Sequence, residues 1–151
     1  MQVQDIMTTD VKTASTDDTF SDVAKLLRDN QISSVIVKEG DLLAGIVTER
    51  DIVNLVASGG DPHIVRVADG MTRRHLETVE PKTDISEAAE HMAARRIRHL
   101  PVVDQGKVVG VVSIRDLTNW AVEELAGGHE MPDLQRSHTA LSAAARINRG
   151  G

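Results

Sequence analysis

The chain has no cysteine and no tyrosine, and only one phenylalanine and one tryptophan. Without cysteine there is no disulfide scaffold, thiol nucleophile, zinc finger or thiolate iron–sulfur ligation, a composition that fits a reducing compartment. Two aromatic side chains leave no stacking platform for single-stranded nucleic acid. The core must come from Val, Ile, Leu, Ala and Met, and 151 residues can bury one without cross-links or metals. A net charge of −6 argues against nucleic acid as the main partner, because backbone binding wants a basic face. No stretch nears the roughly 20 apolar residues of a membrane span, and no basic-then-apolar leader opens the chain. The composition predicts a soluble, cytoplasmic protein.

What is present is an internal repeat. Asp5-Ile6-Met7-Thr8 matches Asp69-Gly70-Met71-Thr72, with Val3 and Val67 ahead of them at the same spacing. From Thr13 onward the offset is 65 and ten of 43 positions are identical, among them Gly45/Gly110, Arg50/Arg115 and Asp51/Asp116. Background composition would give about two or three. Each copy reads as helix–strand–strand–helix. Phe20, Val23, Ala24 and Leu27 share one helix face behind a Thr19/Asp22 capping box. In the second copy Asp84 caps, Glu87 takes the third helical position, and Ile85, Ala88, Ala89 and Met92 repeat the face. Short strands follow around Val35–Val37 and Leu100–Val103, then Leu43–Thr48 and Val108–Ser113, separated by polar turns. Helices close each copy, Arg50–Ala57 and Arg115–Leu125. The expected organisation is a first copy over 1–60, a second over 61–125, and a frayed or helical tail over 126–151. Leu134–Ile147 carries the tail's thin apolar face.

Candidate chemistry lies where a strand turns into a helix: Gly45-Ile46-Val47-Thr48-Glu49-Arg50-Asp51 and Gly110-Val111-Val112-Ser113-Ile114-Arg115-Asp116. A helix N-terminus offers free N–H groups and partial positive charge, which suits phosphate. The hydroxyl and the arginine add donors, and the aspartate can clasp a sugar diol. The same Thr-x-x-Asp is also a plain capping box that needs no ligand. Ahead of one strand stands Arg95-Arg96-Ile97-Arg98-His99-Leu100-Pro101, where the first copy has Ser33-Ser34. A solvated basic turn is the alternative use of that run.

Taken together, the Met-Thr lead-ins, the paired Gly-x-x-Thr/Ser-x-x-Asp segments and the Ile-Arg-His-Leu-Pro-Val-Val run resemble the cystathionine β-synthase (CBS) domain family, over roughly Val3 to Leu125. The resemblance implies an α/β fold of α+β type. Two pseudo-twofold-related repeats would each carry a small β-sheet and two helices, with two ligand clefts between them. It implies adenosyl ligands (AMP, ADP, ATP or S-adenosylmethionine) with no required cofactor. By resemblance one cleft takes Ser113, Arg115 and Asp116 with Thr8, Thr13, Ile32 and Ser33, and Arg98 reaches the phosphate. The other takes Thr48, Arg50 and Asp51 with Thr72, Thr78 and Ile97, and His99 nearby.

Other chemistries lack their patterns. The six histidines, His63, His75, His91, His99, His129 and His138, show no metal-ligand spacing. No nucleophile elbow or P-loop occurs. The chain therefore reads as a non-enzymatic sensor that signals to an effector protein in trans, or alternatively as a ligand-free dimerisation or scaffold module. A basic surface from Arg73, Arg74 and Arg95–Arg98 is a weaker nucleic-acid reading. The resemblance implies a homodimer, for which Leu117, Trp120, Ala121 and Leu125 offer an apolar helix face. The acidity is uneven: residues 1–65 carry 11 acids and 5 bases, whereas residues 66–120 carry 8 acids and 9 bases.

Overall fold

The computed structural model of the chain describes residues 1–74, 76–127, 141–142, 144–145 and 147. The fold is mixed α/β with small sheets and five α-helices among the described residues. Strands β1 (Thr13–Ser15), β2 (Ser34–Glu39) and β3 (Leu42–Thr48) are followed by β4 (His99–Asp104) and β5 (Lys107–Ser113). The helices are α1 (Phe20–Asn30), α2 (Glu49–Ala57), α3 (Val67–Gly70), α4 (Ile85–Arg95) and α5 (Ile114–Gly127). Two compact units result. The α2 unit comprises residues 10–76 and 105–108, and the α5 unit residues 1–9, 77–104 and 109–151.

In the α2 unit, β1 pairs parallel with β2, and β2 antiparallel with β3, in register from Ser34 opposite Thr48 to Val37 opposite Gly45. Helix α1 starts as its sequence directs. Thr19 accepts the Asp22 amide, while the Asp22 carboxylate receives the Thr19 amide. Its face of Phe20, Val23 and Leu27 is buried against Val35, Val37 and Val47. Gln31, left-handed at φ 54°, ends the helix, and the Ile32 amide returns to the Leu27 carbonyl.

The α5 unit repeats the plan. β4 and β5 form a two-stranded sheet, and Val79 makes a parallel bridge to Val102, matching the Ala14–Val37 pairing. Ile85, Ala88, Ala89 and Met92 of α4 pack with Leu100, Val102, Val112 and Leu117. Asp84 caps α4 as expected, but its partner is the Ser86 amide, and Glu87 stays exposed. The expected dimer face is corrected here. Leu117, Trp120 and Ala121 are buried in this unit's own core, which leaves Leu125 alone of that set exposed. In the tail, Ile147 is buried in the same core with Leu141 packed against it, whereas Leu134 lies outside the described residues.

The lead-ins are exchanged in sequence order. Val3 and Met7-Thr8 belong to the α5 unit, and Val67 and Met71-Thr72 to the α2 unit. Each adds a backbone bridge to the second strand of its unit, Thr8 to Val111 and Thr72 to Ile46. A β-carbon on Gly110 would sit 2.6 Å from Met7 Sδ, and one on Gly45 would sit 2.7 Å from Met71 Sδ and the Thr72 carbonyl. Only a glycine lets these strands meet the lead-ins so closely.

Candidate functional site

Each unit builds one version of the candidate site, where its second strand feeds a helix. In the α5 unit, the Ser113 amide and hydroxyl both donate to Asp116 Oδ2 at 2.7 Å, and the Asp116 amide returns to Ser113 Oγ at 3.3 Å. In the α2 unit, the Thr48 amide and hydroxyl donate to Asp51 Oδ2 at 2.8 and 3.2 Å, and the Asp51 amide returns to Thr48 Oγ1 at 3.4 Å. Both segments are thus complete capping boxes, as their sequence allowed. Each cap uses only Oδ2 of its carboxylate.

The chain before the first strand of each hairpin closes on the same helix start. The Ile114 amide donates to the Arg98 carbonyl at 2.8 Å, and the Glu49 amide to the Ser33 carbonyl at 3.1 Å. These contacts engage the N1 and N3 amides and leave out the N2 amides, which belong to Arg115 and Arg50. An α-helix has no internal acceptor for its first-turn amides. An N–H donor, an exposed arginine, a hydroxyl and a half-buried carboxylate therefore stand together at each start. Thr8 and Thr72, both exposed, lie on the lead-ins bridged to Val111 and Ile46 just upstream.

The α5 unit gathers Thr8, Arg98, His99, Ser113, Arg115 and Asp116, along with Thr78 and Ile97. The α2 unit gathers Thr48, Arg50, Asp51 and Thr72, with Thr13, Ile32 and Ser33. Each residue set expected from resemblance therefore draws on both units. His99, grouped by resemblance with Thr48, lies in the unit of Asp116. Burial pushes its imidazole down to about 4; the Asp116 carboxylate opposes that shift, while the Arg98 and Arg115 charges reinforce it. His99 is accordingly neutral at pH 7 and can donate or accept a hydrogen bond there.

The basic run divides between roles. Arg95 pairs with Glu77 at 3.1 Å, and Arg96 is the left-handed residue that ends α4. Arg73 and Arg74 are exposed but belong to the other unit. No group of three metal-binding side chains occurs among the described residues, and His75, His129 and His138 lie outside them. No helix of the described residues is long and apolar enough to cross a membrane.

Two features of the site escape a motif reading. One is the residue at the first helical position, Glu49 in α2 and Ile114 in α5. The 65-residue alignment displays that difference, but it matters only once the shared geometry is known. The other is the glycine–methionine contact that seats each lead-in. Its signal was the coincidence of both residues in both copies.

Comparison with known proteins agrees with this architecture. The CBS domain family model matches residues 3–58 and 67–123. The CBS domain-containing protein YhcV of Bacillus subtilis is 34% identical over 126 residues, covering 83% of this chain and 89% of that protein. A CBS domain protein from Pyrobaculum aerophilum, PAE2072, solved with AMP, superposes with a TM-score of 0.75 at 25% identity, covering 92% of this chain and 99% of that one. The CBS domain pair of MJ0100, solved with 5′-methylthioadenosine and S-adenosyl-L-methionine, gives a TM-score of 0.72 at 27% identity, covering 86% and 98%. With two matched copies spanning most of its length, the chain belongs to the CBS domain family.

Proposed function

We propose that this CBS pair is a regulatory module that binds an adenosyl compound (AMP, ADP, ATP or S-adenosylmethionine) and signals to a partner protein, with no catalysis of its own. The observation that carries the reading is the pair of capped helix starts. Each joins a hydroxyl to a carboxylate in a hydrogen-bonded cap, with an exposed arginine next in the chain, in a fold whose solved relatives hold AMP or S-adenosylmethionine. In this reading the aspartate accepts from the ribose diol, while the arginine and the N2 amide face the phosphate or its substitute. Ligand binding would favour one conformation of the pair and thereby bias the surface shown to the partner. The module acts as a homodimer in the cytoplasm.

One observation favours the second reading, a ligand-free dimerisation or scaffold module: both capping boxes close with protein groups alone. Thermal unfolding with AMP, ATP and S-adenosylmethionine separates the two. A ligand at 100 times its Kd should add about 2.7 kcal/mol of stability. Asp116→Ala should cost roughly 0.3–1.5 kcal/mol by removing the N3 half of the capping box and also shrink the ligand-induced increment at its site. The increment is the diagnostic, because cap loss alone leaves it intact. No increment with any of the three compounds would leave the scaffold reading standing.

A further inference from the structure

Helices α2 and α5 hold matching places in the repeat, yet the same face of the two is buried to different degrees. At the 65-residue offset, Ile52, Leu55 and Val56 of α2 correspond to Leu117, Trp120 and Ala121 of α5. The α2 residues are half-buried at best, and Val56 is 57% exposed. Their α5 counterparts are at most 5% exposed. The hairpin, the first helix and the lead-in are common to both units and do not by themselves produce this difference.

What the α5 unit has alone, among the described residues, is the segment 141–147. It is helical at residues 141–142, 144–145 and 147. Ile147 is buried in the same cluster as Leu117, Trp120 and Ala121, and Leu141 packs against that cluster. The CBS domain match ends at residue 123, short of this segment.

We infer that this segment is a detachable intrachain cover: Leu141 and Ile147 close the apolar α5 face around Trp120, and their release opens there the kind of helix-docking face that α2 presents uncovered. Detachment follows from three features. The α2 unit forms its core with the corresponding face open, so the fold does not need a cover. Seven residues are too few to hold a helix without the surface beneath them. Trp120 Nε1 is buried with no hydrogen-bond partner among the described residues, although a buried indole N–H usually has one. That unmet donor disfavours the covered state, and water meets it once the cover lifts. Adenosyl binding plays no part in this device.

Trp120 is the chain's single tryptophan, so its fluorescence reads the cover directly. In the full native chain its emission should be blue-shifted, resist acrylamide quenching and stay unchanged on dilution. L141S combined with I147S should shift the emission to the red and admit acrylamide, with cooperative unfolding retained, and I147V should behave as the native chain does. A peptide of residues 138–151 should return the double variant's emission to the blue at the roughly millimolar level that a short tether supplies. Hydrogen exchange of the native chain, which needs no variant, should be faster at the amides of residues 141–147 than at those of Leu117–Ala121. Unchanged emission and quenching in the double variant would overturn the cover. Unfolding of that variant as a whole, or exchange at 141–147 no faster than in α5, would overturn its detachment. A peptide without effect at several millimolar would overturn the docking face. A red shift of the native chain on dilution would overturn the intrachain assignment and make a second copy's segment the occupant.

Discussion

His99 shows how one side chain's chemistry depends on where the fold puts it. It opens β4, half-buried, with Arg98 beside it and Arg115 and Asp116 in range. Burial holds its imidazole at about 4, against an ordinary value of 6.5. Between those values the unfolded chain binds more protons than the folded one, so stability at this residue is intact above about 6.5 and lost as pH falls toward 4. Urea unfolding of the native chain should therefore weaken more steeply from pH 7 to pH 4.5 than that of His99→Ser, which installs the residue found at the matching Ser34. Parallel curves for the two proteins would show that His99 titrates normally. The sequence placed His99 in a basic run, and the family resemblance set it near the Thr48 and Asp51 cleft, but neither could reveal its neutrality. That property arises from burial and from charges on α5, which only the folded chain brings together.

At the scale of elements, most of the fold was legible. The apolar spacing of α1 and α4, the Thr19 and Asp84 caps and the paired strands all follow from periodicity and turn chemistry, and the observed bounds differ from the reading by a residue or two. The lead-ins were legible as a motif but not as structure. Their short turns, Val3–Asp5 and α3, and the strand β1 carry too few residues for a periodic signal. Their placement is set by a long-range fit: Met7 against Gly110 and Met71 against Gly45. Gly110→Ala puts a β-carbon 3.0 Å from the Thr8 carbonyl as well as against the Met7 sulfur. The sulfur can move, but the backbone cannot without breaking the Thr8–Val111 bridge. Overpacking of this kind costs about 1–3 kcal/mol. Gly110→Ala should lower the denaturation midpoint accordingly and speed amide exchange at Thr8 and Val111, whereas Gly106→Ala, with open space around it but φ +80°, should leave those two amides protected. Equal protection in the two variants would mean that Gly110 does not seat the lead-in.

For the whole molecule, the apolar surface left over after each unit has formed its core is the guide to assembly. Helix α2 has no fully buried residue, and its Val53 and Val56 are 63% and 57% exposed. On α5, Val122 and Leu125 remain 54% and 39% exposed, beyond the buried Leu117, Trp120 and Ala121. Each pair is spaced i, i+3 and so shares a helix face. Residues that pack only within a unit would be buried like Leu117; these are not, which supports the proposed homodimer. Across a twofold interface every contact occurs twice, so one substitution removes two buried side chains, each contributing about 1.5 kcal/mol or more. Sedimentation equilibrium of the native chain should give twice the 16.4 kDa chain mass. Val56→Asp would also place two like charges in the apolar contact if that face is the interface, and should shift the chain to monomer at micromolar concentration with its fold and ligand binding retained. A native chain that sediments as monomer at high concentration would remove the dimer. A Val56→Asp dimer as tight as the native one would move the contact away from α2 and leave the α5 face, tested by Val122→Asp, as the remaining candidate.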